Sequence, residues 1–560
     1  MRLLRSVRSL LPAVLSAVPA LASAGCVASA TDARGIALDD PLGLVMDVAR
    51  AGNPLRVYVL PASSYACNAT TGTITPDIPN DAPGNVPDAV VDINADISGD
   101  MATAMATIPT GDWTVLVRGK GTDPVSGRPN RIIATGCATV PGLAANETRQ
   151  VNITLLPQHD SGMCNDGVLS PDEQCDMPGM AMCDASCHTT PIPVNVNVTA
   201  GIQVAARIAS ATGQRIAISF DSRGSANDIG VRLLDPNGNM VGSTGTSLAQ
   251  DETIDGLGMP FPGPQASGRP AMAADGHFAI TLQDFFGGMH VQVQFFDVNR
   301  SPTATTAART AMGTQTAPDA AFAGNGALLV AYQDDQSGTG IAGTFFASGS
   351  TTAAMSGLAL GTGSSAATHP AVAGLPTGFV VAFSTAGDVR FQRFTSTGTP
   401  VDAASVAVLD ATDSADTQDE PAVAANADGS FLVAWTEHSV ASGDGMGTSI
   451  RARAFGVDGT PAGSAVVLPV ASAAGDQSAP TVAAADQRYL VAWAGGGVHA
   501  RVLSSTGVPL PNREQPQTSA DFTVAAAGGA PSATAMGTTP ASWLIAYDDG
   551  DSVWARRYPR

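Results

Sequence analysis

One recurring stretch decides the fold of this 560-residue chain. Its clearest copy reads Pro421-Ala-Val-Ala-Ala425, Phe431-Leu-Val-Ala-Trp435, Ile450-Arg-Ala-Arg453 and Asp458-Gly-Thr-Pro461. Seven copies, more or less degraded, run from about residue 204 to the last residue. Their apolar segments read Ala217-Ile-Ser-Phe220, Ala279-Ile-Thr-Leu282, Leu329-Val-Ala-Tyr332, Val380-Val-Ala-Phe383, Leu432-Val-Ala-Trp435, Leu490-Val-Ala-Trp493 and Leu544-Ile-Ala-Tyr547. A period near fifty residues without a helical stretch predicts a radial or stacked array of small β-sheets.

Each copy predicts four short strands. The apolar segment predicts a strand buried on both faces, and its small third residue lets the neighbouring sheet approach closely. The next strand alternates, as in Val389-Arg-Phe-Gln-Arg393, so we expect its arginines on a solvated face. A glycine turn such as Asp458-Gly459 and a short fourth run, Ala465-Val-Val-Leu468, follow. Residues 194–560 therefore predict a seven-bladed β-propeller, with a six-bladed or open array as the alternative.

The last copy stops at Arg560, after its third strand. The alternating segment Val194-Asn-Val-Asn-Val198 precedes the first copy and belongs to none of the repeats. We expect this segment to complete the last blade, which closes the ring and removes two open sheet edges. A linker strand is the alternative.

The first 25 residues predict an export signal, followed by a linker over 26–39. Arg2, Arg5 and Arg8 precede an apolar stretch that is too short for a membrane span. Ala22-Ser-Ala24 fits ordinary secretion, whereas Ser23-Ala-Gly-Cys26 resembles the bacterial lipobox, with serine where leucine is usual. Six of the seven cysteines fall into groups of two and four, and Cys26 belongs to neither group. We favour lipidation at Cys26 and an outer-membrane or cell-surface location, with secretion as the alternative.

Residues 40–157 predict a separate β-sandwich, from short apolar runs divided by turn residues. The stretch from Ile108 to Val117, with Pro109, Gly111 and Trp113, resembles prealbumin-like carboxypeptidase-regulatory domains. Cys67 and Cys137 predict a disulfide in an oxidising exported context, and two free buried thiols are the alternative.

Residues 164–188 predict a small disulfide-stapled spacer. Its four cysteines have 10, 7 and 3 residues between them, unlike paired zinc-binding cysteines. Two disulfides are therefore favoured over a zinc site that includes His188, and the pairing stays open. The unit resembles the four-cysteine disulfide repeat of myxobacterial surface proteins, although Asp172 replaces a usual glycine. The resemblance implies a structural role for Cys164, Cys175, Cys183 and Cys187.

No catalytic motif emerges from the sequence. The seven histidines are scattered, and no nucleophile elbow, metalloprotease motif or phosphate loop is present. The acidic loop from Asp410 to Glu420 is a weak calcium candidate with a solvated loop as its alternative, so no cofactor and no metal ligand are assigned. Asp334 and Asp335 lie in a loop that lacks the spacing of sialidase Asp-boxes.

Composition restricts the function. The chain has 49 Asp and Glu against 28 Lys and Arg, a net charge of −21, which argues against binding nucleic acid or anionic membranes through bulk charge. The repeats resemble degenerate propeller repeats of exported bacterial proteins. We expect a monomeric, non-catalytic envelope protein that binds an unknown protein or carbohydrate. The alternatives are a propeller enzyme acting on extracellular polysaccharide and a purely structural envelope component.

Overall fold

The chain is built of β-sheets in the computed structural model. The structure describes residues 27–29, 35–39, 55–157, 183–184 and 189–559, except for 70–71, 77, 79–85, 87, 99–100, 106–107, 123–128, 145–147, 151–152, 212, 225–226, 237, 239–240, 242–251, 255–262, 310–312, 365, 410–416, 473, 512–519 and 537–541. No helix occurs in these residues, which confirms the all-β prediction. It follows that the described part of the chain contains no helix long and apolar enough to cross a bilayer.

Two compact units divide the chain, and the first comprises the described residues up to 39, 55–119 and 134–156. Its strands are β1 (Val27–Ser29), β2 (Gly35–Asp39), β3 (Leu55–Pro61), β4 (Ala66–Asn68), β5 (Thr73–Thr75), β6 (Val91–Asn94), β7 (Asp96–Ser98), β8 (Met101–Met105), β9 (Gly111–Thr122), β10 (Pro129–Leu143), β11 (Thr148–Gln150), β12 (Ile153–Thr154) and β13 (Leu156–Pro157). They form a five-stranded sheet, β13-β10-β9-β3-β6, a four-stranded sheet, β12-β2-β8-β7, and the pairs β1-β11 and β4-β5. Tyr58, Leu60 and Leu116 lie in its core. The sandwich arrangement of the two larger sheets stays a prediction.

The second unit contains seven four-stranded antiparallel sheets, here called sheets 1 to 7. Sheet 1 is β15 (Ile202–Ser210), β16 (Ile216–Arg223), β17 (Asp228–Leu234) and β18 (Glu252–Thr253), and sheet 2 is β19 (Gln265–Met272), β20 (Phe278–Asp284), β21 (His290–Phe296) and β22 (Pro302–Ala307). Sheet 3 is β23 (Gln315–Phe322), β24 (Leu328–Asp334), β25 (Ile341–Phe346) and β26 (Ala353–Ala359), and sheet 4 is β27 (Thr368–Leu375), β28 (Gly378–Thr385), β29 (Asp388–Thr395) and β30 (Val406–Ala407). Sheet 5 is β31 (Gln418–Ala425), β32 (Phe431–Glu437), β33 (Ser449–Phe455) and β34 (Val466–Val467), and sheet 6 is β35 (Ser478–Ala485), β36 (Arg488–Ala494), β37 (Val498–Ser504) and β38 (Phe522–Ala525). Sheet 7 combines β39 (Ser532–Met536), β40 (Ser542–Asp548) and β41 (Val553–Pro559) with β14 (Ile192–Pro193) from before the first repeat.

The first strand of each sheet contacts the first strand of the next sheet, and β39 contacts β15. The seven sheets therefore close into a ring around a central channel. Backbone hydrogen bonds join successive sheets at six junctions. At each junction an amide at the start of the first strand, here called the inner strand, donates to a carbonyl of the preceding sheet. The donors are Gln203, Gln265, Gln315, Ala367, Gln418 and Gln477, and the acceptors are Asp551, Asn227, Met289, Thr339, Gly387 and Thr448.

The predicted apolar segments are the second strands of the seven sheets. They are buried along nearly their whole length, with Trp435, Trp493 and Trp543 among the largest fully buried side chains. The prediction of a strand covered on both faces is confirmed. At the small third position, Ser219 is fully buried and its hydroxyl donates to the Gly268 carbonyl of the next sheet at 2.7 Å.

The predicted closing strand was placed two residues too late. The ladder to β41 is made by Ile192 opposite Ala555 and Pro193 opposite Trp554, whereas residues 194–198 lie outside any strand. Val194 is buried. The side-chain oxygen of Asn195 then takes the place of a strand carbonyl and accepts a hydrogen bond from the Val553 amide at 2.7 Å. The role predicted for this segment, completion of the last sheet, is observed.

The prediction of solvated arginines on the third strands is wrong for several sheets. Arg451 and Arg501 are buried, and Arg501 donates to the Leu468 carbonyl at 2.8 Å. Arg453 and Arg556 likewise donate to the carbonyls of Val408 and Val524, at 2.9 Å each. In each case the carbonyl belongs to the fourth strand of the preceding sheet or follows it directly. Alternation alone does not reveal this contact, because the short fourth strands leave carbonyls that the guanidinium groups satisfy.

Candidate functional site

A bulge interrupts the inner strands of six sheets at equivalent positions. The register shifts there in β15, β19, β23, β27, β31 and β35. The first bulge residue has a positive φ of 46° to 57°, a conformation that costs a non-glycine residue free energy. These residues are Ala205, Ser267, Ala317, His369, Glu420 and Ala479. Proline follows in four of the six, and since proline has no amide proton, it fits an interrupted ladder.

Side chains of the preceding sheet hold several bulges in place. The Ala205 amide donates to Asp548 Oδ2 at 3.1 Å, and the Ala479 amide donates to Glu420 Oε2 at 2.8 Å. Asp221 accepts in the same way from the backbone of sheet 2. The bulge geometry is therefore supported by bonds between sheets, which compensate for its backbone strain.

The bulges surround a cavity of about 420 Å³ at the end of the channel where the inner strands begin. Five ionisable side chains line this charged end, one from each of sheets 1 to 5: Arg207, Arg269, Asp319, His369 and Glu420. Two residues after the positive-φ position, sheets 1 to 3 carry Arg207, Arg269 and Asp319. At the same position the other sheets carry small residues, which are Ala371, Ala422, Thr481 and Ser532.

The two arginines of the charged end are poorly paired. Arg269 Nη1 lies 3.9 Å from Asp319 Oδ1, beyond hydrogen-bond distance, and the guanidinium has no other bond to the described residues. Arg207 Nη1 donates to the Ala206 carbonyl at 2.7 Å. Burial, and secondly the charge of Arg269, lower the pKa of Arg207 to about 9. Burial raises the pKa of Asp319, although Arg269 and the Val372 amide oppose that shift.

The other end of the channel is larger, about 840 Å³, but chemically plain. Small apolar residues dominate its lining. This alanine end is defined by Ala323, Ala373, Ala424, Ala484 and Ala535. Nothing in this lining resembles a cluster of catalytic groups.

The predicted disulfide between Cys67 and Cys137 is present, with a Cα–Cα distance of 5.8 Å, and this confirms the prediction. Cys183 is also disulfide-bonded. Cys26, Cys164, Cys175 and Cys187 lie outside the described residues, so their lipidation and pairing stay predictions.

The remaining candidates are separate from the cavity or have structural partners. His438 contacts Asp419 at 2.9 Å, and His277 lies on the surface beside Asp275. Asp334 pairs with Arg309. The acidic loop lies partly outside the described residues, and its last residue, Glu420, accepts from Thr436 and Ala479. In the part of the chain that the structure describes, no three His, Cys, Asp or Glu side chains form a metal-binding group.

No family model matches this sequence, and no curated protein matches it either. Solved structures of similar shape include the α-L-arabinanase of Penicillium chrysogenum complexed with arabinobiose, which is 9% identical with a TM-score of 0.36 and covers 66% of this chain and 98% of that one. The Dos1 propeller is 11% identical, with a TM-score of 0.36 and coverage of 66% and 95%. A GH93 α-L-arabinofuranosidase of Fusarium graminearum is 12% identical, with a TM-score of 0.35 and coverage of 52% and 92%. None of these likenesses assigns an activity or a ligand to this chain.

Arg207, Arg269 and Asp319 of the charged end were not among the candidates predicted from the sequence. One signal for this end exists: the phrase that begins at Pro421 recurs as a residue-proline pair in five sheets, at Pro318, Pro370, Pro421, Pro480 and Pro531. Aligning the copies on this pair shows Asp319 where sheets 4 and 5 carry alanine, whereas the two sheets with Arg207 and Arg269 lack the pair.

Proposed function

We propose that this protein is an exported bacterial envelope protein that binds a small polar ligand in the central channel of a seven-bladed β-propeller. In this proposal each of the seven sheets is one blade, the first unit is a β-sandwich, and the four-cysteine segment of myxobacterial type is a spacer. A lipid at Cys26 holds the chain at the cell surface. The role is binding, with a carbohydrate or protein component of the envelope as the source of the ligand and no role for nucleic acid.

The charged end of the channel carries this proposal. Polar side chains from five sheets converge on one cavity, whose volume lies in the range of small-molecule sites, about 300–1,000 Å³. A ligand site in a repeat protein is expected where one copy departs from the others. Two residues after the positive-φ position, sheets 1 to 3 carry charged residues where the other sheets carry small ones. The rigid ring holds these side chains at fixed places, which favours binding.

Calorimetry of the mature chain tests the proposal, with a panel of neutral sugars, acidic sugars, amino acids and dicarboxylates. We expect at least one solute to bind with one site per chain. Ala371→Phe fills the cavity and should abolish that binding, whereas Val401→Phe adds the same ring to an exposed position and should leave it unchanged. A panel without any binder, or binding that survives Ala371→Phe, would contradict the proposal.

A polysaccharide-cleaving enzyme is the second candidate, and one observation favours it. Asp319, whose pKa burial raises, lines the same cavity as Glu420, and glycoside hydrolysis uses two carboxyl groups that flank the bond to be cleaved. New reducing ends in acidic or neutral polysaccharides, lost in Asp319→Asn but kept in Asp335→Asn, would establish this activity. Their absence alongside ligand binding supports the binding role.

Mass spectrometry of the mature N-terminus tests the anchor. An acylated Cys26 supports a surface lipoprotein. A chain that starts at unmodified Gly25 refutes the anchor and leaves secretion as the location.

A further inference from the structure

We infer that the charged end of the channel selects a solute that carries both a carboxylate and hydroxyl groups, that is, an acidic sugar of the uronate class. This inference rests on the proposed binding function and names the ligand class. It follows from the hydrogen bonds that Arg207, Arg269, Asp319 and Glu420 already make, and from the donors and acceptors that they still offer.

The two arginines offer a site for a planar anion. A guanidinium has five N–H donors. Among the described residues, one bond from Arg207 to the Ala206 carbonyl is the only hydrogen bond that either guanidinium makes. Arg207 and Arg269 come from adjacent sheets and repel each other in a partly buried cavity. A carboxylate between them relieves this repulsion and matches the fork geometry of guanidinium donors.

The two carboxylates require hydrogen-bond donors from the ligand. Glu420 Oε2 accepts from Thr436 Oγ1 at 2.9 Å and from the Ala479 amide at 2.8 Å, and no described residue donates to its other oxygen. Asp319 Oδ2 accepts from the Val372 amide at 2.7 Å, and Oδ1 lies beside Arg269. Carboxyl oxygens accept hydrogen bonds, so hydroxyl groups of a ligand can donate to this side of the cavity.

Other small ligands satisfy only part of this arrangement. A neutral sugar leaves both guanidinium groups without an anion, and a simple dicarboxylate brings no donor to Asp319 and Glu420. A sugar phosphate brings nearly two negative charges into a cavity that already holds two carboxylates, which increases repulsion. The uronate supplies one planar anion together with several hydroxyl donors.

Calorimetry with four solutes tests the inference on the mature full-length chain at neutral pH and low ionic strength: glucuronate, glucose, glucose 6-phosphate and succinate. We expect glucuronate to bind at least about tenfold more tightly than each of the others. Arg269→Gln should remove this preference, so that glucuronate binds no better than glucose. Arg223→Gln is the matched control, because Arg223 also lies in the ring but is 58% exposed and does not line the cavity.

The outcomes separate the ligand class from the binding function. Glucose that binds as tightly as glucuronate overturns the uronate class while the binding function stands, and tighter binding of succinate or glucose 6-phosphate does the same. If none of the four binds but another solute of the panel binds in an Ala371→Phe-sensitive way, only the uronate class fails. Should Arg269→Gln not fold, Arg269→Lys serves instead, since it keeps the charge, loses the fork and should weaken glucuronate more than glucose.

Discussion

The two ends of the channel are built by the same seven inner strands, yet they differ in every property that matters for binding. The charged end carries bulges with positive φ angles and five ionisable side chains, whereas small apolar residues dominate the lining of the alanine end. The alanine end is the larger cavity of the two. Cavity volume alone therefore does not identify a binding site in this ring. The charged side chains lie where a copy departs from the repeat.

Packing explains why the alanine end is uniform. Neighbouring inner strands approach so closely there that a Cβ on Gly374 would overlap the backbone carbonyl of Phe322 in the preceding sheet. Larger side chains have no room between the strands, so selection for packing repeats the same small residues around the ring. At the charged end the ladder is interrupted just before Arg207, Arg269 and Asp319, so the regular strand packing of the alanine end does not continue there.

The largest effect is expected from removing the closure on which both ends depend. Deletion of residues 192–195 removes β14, the buried Val194 and the bonds of Asn195 to Val553 and Gln203. We expect a loss of about 4 kcal/mol in the free energy of unfolding, measured by urea denaturation. Val196→Ser, at a side chain that is 47% exposed, is the control and should change little. An unchanged midpoint after the deletion would show that the ring does not need its closing strand.

Gly374→Ala should disturb the strand packing at the alanine end alone. The added methyl group meets the backbone of Phe322 rather than a movable side chain, so we expect a loss of about 2 kcal/mol. Gly338→Ala is the matched control, because its Cβ has nothing within 4 Å. Ligand binding at the charged end should persist in the folded fraction of Gly374→Ala. Equal stability of the two variants would refute the packing argument.

Arg207→Gln should separate stability from function at the charged end. The variant removes a charge whose burial is unfavourable and which lies near Arg269, so we expect a gain of about 1 kcal/mol in stability, measured by urea denaturation. Glucuronate binding should fall at the same time. The exposed Arg223→Gln should change neither quantity. A stability loss in Arg207→Gln would mean that Arg207 is a structural residue.

The smallest effect is a pH dependence of binding. Burial, and secondly the charge of Arg269, lower the pKa of Arg207 to about 9, whereas Asp221, Asp319 and Asp548 act to raise it. Because this shift makes the charged guanidinium less favourable at alkaline pH, we expect the affinity for glucuronate to fall as the pH rises through about 9. The free energy of unfolding should instead rise over the same pH range, because the unfolded chain then binds more protons than the folded one. Arg207→Gln should show no such drop in affinity, and a drop of equal size in that variant would assign the titration to another group.

The sequence predicted the ring far better than the site. Period, apolar second strands such as Leu432-Val-Ala-Trp435 and turn glycines act locally, so they appear directly in the residues. The bulges depend on bonds between sheets, such as the Ala205 amide to Asp548, and no local pattern reveals them. The arginines of the third strands were misjudged for the same reason, because their acceptors lie on the preceding sheet.

In six sheets a side chain that lines the cavity follows two residues after the positive-φ residue of the bulge, and Ser532 lies at the equivalent position of sheet 7, which has no bulge in its described strands. Arginine, aspartate, alanine, threonine and serine already occupy this position in different sheets of one ring. The lining is therefore a set of seven positions that can vary independently. Single substitutions at Ala371, Ala422 or Thr481 can change which ligand binds, without insertions, deletions or a new fold. Gene duplication of such a repeat supplies a scaffold first and a specificity afterwards, by point mutation alone.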